Sequence, residues 1–182
     1  MFIRPAHLGD ADAIAVVHVR TWQVAYRGQV PQSHLDRLDP AERRAAWAEG
    51  LRAAEPPTAT FVLEDGGAVI GFVHVSPSRD DDVDPADVGE VNAIYLLPAH
   101  WGRGGGRLLL AAGLRALRAE GLTEATLWVM DSNDRARRFY EAAGWRPDGA
   151  TKTDLAWGFA LDQVRYRVCC ADGLTALGML VA

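Results

Sequence analysis

Apolar residues fall in two rhythms that alternate along the chain, short strand-like runs and longer segments with apolar positions three or four apart, which predicts a mixture of strands and helices. Phe2 to Pro5 reads as a strand. Asp10 is placed to cap a helix whose Ile14, Val17, Thr21, Trp22, Ala25 and Tyr26 share one face. A second helix starts after Asp39 with Pro40 in its first turn, runs through Trp47, and is closed by Pro56-Pro57. Thr58 to Leu63 and Ala68 to Val75, joined by Glu64-Asp65-Gly66-Gly67, predict a hairpin. After an acidic loop from Ser76 to Asp87, Val88 to Leu97 is a strand stopped by Pro98. A helix carrying Leu110, Leu114 and Leu117 follows and ends at Gly121, where a left-handed residue suits the cap. Ala125 to Met130 is a further strand, Asp131-Ser132-Asn133 supplies an N-cap, and Asp134 to Ala143 is a short helix ended by Gly144. Trp145 to Cys170 reads as two strands turning around Ala156-Trp157-Gly158 or Ala160-Leu161-Asp162. This order predicts an α/β or α+β sheet with both hairpin and crossover connections.

The length of 182 residues fits one domain, and 49% apolar with 24% charged residues excludes disordered, collagenous and coiled-coil chains. A net charge of −5 removes the general electrostatic drive for binding nucleic acid, so no nucleic-acid partner is expected, although a local basic patch can still hold a small polyanion. No apolar run approaches the roughly 20 residues a bilayer span needs, and Asp10 and Asp12 come too early for a signal peptide. The expectation is therefore a cytoplasmic protein with no membrane partner. Cys169 and Cys170 are adjacent and fit neither a disulfide framework nor a redox or zinc spacing. The five histidines have no ligand spacing and no GxSxG nucleophile is present, so neither a metal nor a covalent mechanism is expected. Among 19 basic residues only Lys152 is lysine, which reads as a composition bias.

The densest candidate chemistry lies at Trp101-Gly102-Arg103-Gly104-Gly105-Gly106-Arg107, between a strand and a helix. Unpaired N–H groups and the positive end of the helix dipole converge at such a point and suit a pyrophosphate, with Arg103 and Arg107 adding charge. A phosphate-binding P-loop would need a lysine and a hydroxyl that are missing, and a GxGxxG fingerprint would need glycine at Arg107 or Leu109. On its own physics the loop is equally a flexible connection.

Three segments taken together are more specific: Ile94-Tyr95-Leu96-Leu97-Pro98, then Trp101 to Leu109, then Asn133-Asp134-Arg135-Ala136-Arg137-Arg138-Phe139-Tyr140-Glu141-Ala142-Ala143-Gly144-Trp145. In order and spacing they resemble the GNAT superfamily of acyl-CoA-dependent N-acetyltransferases, with a strand ending at proline, [QR]xxGx[GA] opening a helix, and NxxAxxFYExxGF. Trp101 stands at the [QR] position and Trp145 at the last phenylalanine. The resemblance covers residues 1–170 and leaves 171–182 as an apolar tail. That tail is expected to pack on a neighbouring surface or on a second copy of the chain, as in a homodimer. The implied fold is a mixed, mainly antiparallel central sheet flanked by helices, with a CoA cleft between the two middle strands.

The resemblance implies acetyl-CoA as cosubstrate, its pyrophosphate on the amides of Gly102, Arg103, Gly104, Gly105, Gly106 and Arg107. Its pantetheine arm would pair along Ile94, Tyr95 and Leu96, with Asn133 bonding the arm as well as capping its helix. It carries the acid that protonates the leaving thiolate onto Tyr140, and Glu90 is the candidate base because the alternative position on the next strand holds Trp128. Asn92 shares the pleat face of Glu90, and with Trp22 and Tyr26 it is a candidate for the acceptor site. Trp47 and the acidic run Asp80 to Asp84 are weaker candidates for surrounding a cationic amine. The expected activity is direct transfer of acetyl to a primary amine, on a small molecule or a protein, in a ternary complex. Two other readings stay open: a catalytically silent acyl-CoA sensor, of which Trp101 would be the degenerate sign, and a nucleotide-binding domain using the same loop.

Overall fold

The computed structural model describes residues 1–155 and 158–179. Trp157 and the tail residues Leu180 and Val181 lie outside the described residues. The strands are β1 (Phe2–Pro5), β2 (Ala59–Asp65), β3 (Ala68–Pro77), β4 (Val88–Leu96), β5 (Glu124–Met130), β6 (Arg146–Asp154) and β7 (Leu161–Cys169). The helices are α1 (Ala11–Ala25), α2 (Gln32–Arg37), α3 (Pro40–Ala53), α4 (Gly105–Ala119), α5 (Asp134–Ala142) and α6 (Cys170–Ala176).

All seven strands form one sheet in the order β1-β2-β3-β4-β5-β7-β6. Every neighbouring pair is antiparallel except β4 and β5, which run parallel because α4 crosses between them. The fold is thus the mixed, mainly antiparallel sheet flanked by helices that the resemblance implies.

The main core lies between the sheet and α4, α5 and α6. Leu109, Leu110, Leu114 and Leu117 of α4 are fully buried, each stabilising by roughly 1.5–3 kcal/mol relative to exposure. Gly113 lets this helix lie flat on the sheet, since a Cβ there would stand 2.9 Å from Val75. On the opposite face Ile14 and Val17 of α1 pack on Val62 and Phe72, with Trp47 of α3 edge-on to Phe72 at 4.8 Å between centroids. Trp47 is thus half-buried against this second core, and its Nε1 donates to His18 Nδ1.

Several local expectations are corrected. Asp10 precedes α1 but does not cap it through its side chain. Its carboxylate accepts from Arg4 and from the His7 N–H, which pulls the carboxyl pKa below its ordinary value, with the Arg4 bond the largest cause. Cys170 is not a strand residue but opens α6, and burial pushes its thiol up to about 12, leaving it unreactive. The described part of the tail packs on its own domain: Leu174 and Leu177 are buried in the main core, and Arg115 donates to the Met179 carbonyl at 2.7 Å.

Candidate active site

β4 and β5 pair over only three residues, Val88 with Glu124, Gly89 with Ala125 and Glu90 with Thr126. Beyond this fork the strands separate, while β4 stays paired with β3 as far as Leu96. The Leu97 N–H bonds the Ile70 carbonyl, so in the alternating antiparallel pattern Tyr95 bonds β3 while the main chains of Ile94 and Leu96 point to the open edge. The Leu96 carbonyl is already held there by Thr21 Oγ1 at 3.2 Å and Trp101 Nε1 at 2.6 Å. By this pattern, the Ile94 N–H and carbonyl and the Leu96 N–H remain open among the described residues. Of the three expected residues, Tyr95 thus offers its side chain rather than its backbone.

A bulge breaks the β3–β4 register between His74 and Val75, leaving Asn92 unmatched between the partners of Ala93 and Val91. Both polar atoms of the Asn92 amide are buried and have no hydrogen-bond partner among the described residues. Glu90 is buried, at 7% exposure, and among the described residues its carboxylate makes no ion pair or hydrogen bond. Buried polar groups without partners are uncommon and mark places where a ligand or water completes the structure.

Across the cleft mouth lies the start of α4. Gly104 is its N-cap in a left-handed conformation at φ 86°, and Gly102 has φ 75°, both natural only for glycine. Among the described residues, the N–H groups of Gly102 to Gly106 have no acceptor, whereas the Arg107 N–H bonds the Gly104 carbonyl. The guanidinium of Arg107 turns away to the Leu177 carbonyl at 3.0 Å, capping the end of α6, so it does not supply the charge expected of it. Arg135, which sequence reasoning passed over, stacks over the Trp101 ring at 3.8 Å. The signal for it was the helical spacing: Arg135 lies one turn before Phe139, whose ring is 3.3 Å from where a Gly106 Cβ would stand. Trp101 at the unusual position thus pins the loop to the end of β4 and carries a cation. Asn133 caps α5, accepting from the Ala136 N–H at 3.1 Å.

Tyr140 on α5 is buried, and no hydrogen bond involves its hydroxyl among the described residues. Burial, with Tyr95 adding to it, raises its pKa. Tyr95 accepts from Trp22 Nε1 at 2.9 Å and stacks on His18, and Tyr26 lies edge-on to Trp22 at 4.8 Å. Trp22, Tyr26 and Tyr95 therefore form a linked aromatic wall, while Tyr140 packs on Phe139, Trp145 and Tyr166. His18 in its midst is partly buried, and its pKa falls to about 4, desolvation being the larger cause and Arg43 the smaller. The acidic loop does not offer itself to an amine as expected: Asp80, Asp82 and Asp148 all bind Arg165, and Trp128 Nε1 donates to Asp80. Among the described residues no helix is long and apolar enough to cross a membrane, and no cluster of three or more His, Cys, Asp or Glu residues is poised to hold a metal.

The profile of the Acetyltransferase (GNAT) family matches residues 19–145. A Bacillus subtilis (strain 168) protein named as the uncharacterized N-acetyltransferase YuaI is 34% identical over 142 residues, 77% of each chain. A mycothiol acetyltransferase of Frankia alni is 41% identical over 98 residues, covering 50% of this chain and 29% of that protein, so the chain spans under a third of that relative's length. The fold matches that of yncA from Salmonella typhimurium, solved with its cofactor acetyl-CoA. The TM-score is 0.69 at 22% identity, over 93% of this chain and 94% of the other.

Proposed function

The chain belongs to the GNAT acetyltransferase family, and from that premise we propose that it transfers the acetyl group of acetyl-CoA to a primary amine by direct attack in a ternary complex. The observation that carries this reading is the fork. An open edge of β4 beside a helix start with five unclaimed N–H groups fits a long ligand with a pyrophosphate at one end and hydrogen-bonding amides along its arm. Gly102 to Gly106 hold the pyrophosphate through their amides, with Arg103 and Arg135 as the nearby cations. Ile94 and Leu96 pair with the arm, and Asn133 stands at the start of α5 beside it. When bound, acetyl-CoA supplies an activated acyl carbon and a thiolate leaving group.

The remaining tasks fall to this chain's own groups. An amine attacks only when neutral, and Glu90, buried at the fork without a partner, takes its proton directly or through a water. Main-chain N–H groups of β4 near the bulge offset the charge that develops on the thioester oxygen. Tyr140 holds its proton firmly, which suits a donor that must stay protonated until the thiolate forms. A phenol pKa above that of a thiol opposes the transfer, but the same burial penalises the departing thiolate as well. Asn92 and Tyr26 line the acceptor side. The mycothiol acetyltransferases among the relatives and the orphaned Asn92 amide both favour a small polar amine over a protein surface as acceptor.

Glu90→Gln tests the base. The variant keeps the shape of the cleft and is expected to lose rate chiefly near neutral pH. As pH rises toward an acceptor pKa of about 10.4, neutral amine becomes abundant without a base, and the ratio of variant to wild-type kcat/KM should climb toward one. A ratio that stays flat from neutral to alkaline pH removes Glu90 from this role.

A further inference from the structure

Lys152 is the only lysine of the chain. It stands on β6 opposite Gln163 of β7, and its Nζ lies 4.0 Å from the centre of the Trp128 ring. Trp128 follows by two residues Thr126, the partner of Glu90 in the last β4–β5 pair. Its ring therefore stands on the same pleat face as the fork, just where the two strands part. Arg165 shares this ring at 5.6 Å but is tied down by Asp80, Asp82 and Asp148. Lys152 has no ion pair among the described residues, and the indole face is its close partner. An amine on a flexible four-carbon stem thus lies on the same face of the sheet as the carboxylate proposed to deprotonate amines.

We propose that Lys152 is acetylated by the acetyl-CoA bound in its own cleft, making it a self-modification site on the wall of the acceptor pocket. This rests on the acetyltransferase reading above. The Nζ lone pair forms the N–C bond at the acyl carbon, the C–S bond breaks, the amine proton passes to Glu90, and the thiolate takes a proton from Tyr140. The products are N-acetyl-lysine and CoA thiol. Tethered to the same chain as the bound thioester, the amine reacts at an effective concentration that free amines do not reach. Partial burial lowers its pKa from the ordinary lysine value and so enlarges the neutral, reactive fraction, although Glu90, Asp80 and Asp154 oppose that shift and Arg79 adds to it. Acetylation removes the Lys152 charge from this wall and leaves Trp128 covered by a neutral amide, which alters the acceptors the pocket accepts.

The test incubates the purified chain with deuterium-labelled acetyl-CoA and no acceptor, and reads the label by intact mass and peptide mapping while calorimetry measures acetyl-CoA binding to the same preparation. The expected result is one labelled acetyl on Lys152, formed at a rate independent of protein concentration, at least about 10-fold slower in Glu90→Gln and absent in Lys152→Arg. The α-amino group of Met1, ion-paired with Asp65 at 3.6 Å on the far side of the sheet, stays unlabelled. Labelling equally fast in urea-unfolded protein, or unchanged in Glu90→Gln, overturns the proposal as plain chemical acetylation. So does the lack of label in a chain that binds acetyl-CoA and acetylates added amines. A chain that does not bind acetyl-CoA at all contradicts the acetyltransferase reading itself, and this inference with it.

Discussion

Gly104→Asp is expected to abolish CoA binding in a protein that still folds. The position has φ 86°, so a side chain there brings a penalty of about 1–2 kcal/mol, but a Cβ would meet nothing within 4 Å, so no packing is lost. The new carboxylate would stand in the mouth of the loop, where the amides of Gly102 to Gly106 are unclaimed. A negative charge about 4 Å from a phosphate oxygen, at the dielectric of a protein surface, opposes binding by about 4 kcal/mol, or roughly a thousandfold in affinity. Gly105 is the poorer choice, because a Cβ there would stand 2.8 Å from Leu63 and the loss could be one of folding. Circular dichroism and calorimetry on Gly104→Asp separate the two effects. A folded variant with unchanged affinity would remove the loop from the CoA site.

Tyr140→Phe is expected to lower kcat by about 10²-fold or more with little change in acetyl-CoA affinity, the usual contribution of a positioned acid. The substitution deletes one oxygen from a ring whose packing against Phe139, Trp145 and Tyr166 is otherwise complete. Since no hydrogen bond among the described residues is lost with the hydroxyl, stability should barely move. Steady-state kinetics with a working acceptor, read beside a thermal melt, checks both. A variant with full kcat reduces Tyr140 to a packing residue.

Why these two residues were legible in the sequence, and others were not, follows from the range of the interactions that define them. The glycine loop, the strand stopped by Pro98 and the Asn133 cap are local devices, written into consecutive residues, and the structure forms them where the spacing puts them. The short helix α2 has no such signature: Pro31 precedes it, no side chain caps it, and Leu35 is its one buried residue. The direction of a long side chain is also not local. Arg107 sits in the loop by sequence, yet its guanidinium satisfies the end of α6 about seventy residues away, and Arg135 comes to the loop from another helix. The acidic run read as substrate-facing because its partner, Arg165, lies on a strand that enters the sheet between β5 and β6. That insertion of β7 also places β6 at the outer edge of the sheet, from which the Lys152 side chain reaches back over Trp128 of β5, a neighbourhood that strand periodicity alone does not predict. The bulge at Asn92 is invisible to a two-residue rhythm because it is a break in that rhythm.

The central claim is that the fork between β4 and β5 supports acyl transfer to an amine and not cofactor binding alone. Mixing the chain with acetyl-CoA and a panel of small primary amines, while following release of the CoA thiol, tests it most directly. The account predicts that at least one amine accelerates thiol release by far more than its uncatalysed reaction, with one acetylated amine formed for each thiol and the acceleration lost in Gly104→Asp. Tight acetyl-CoA binding with no amine-dependent thiol release across the panel would contradict it and make the chain an acyl-CoA binding module.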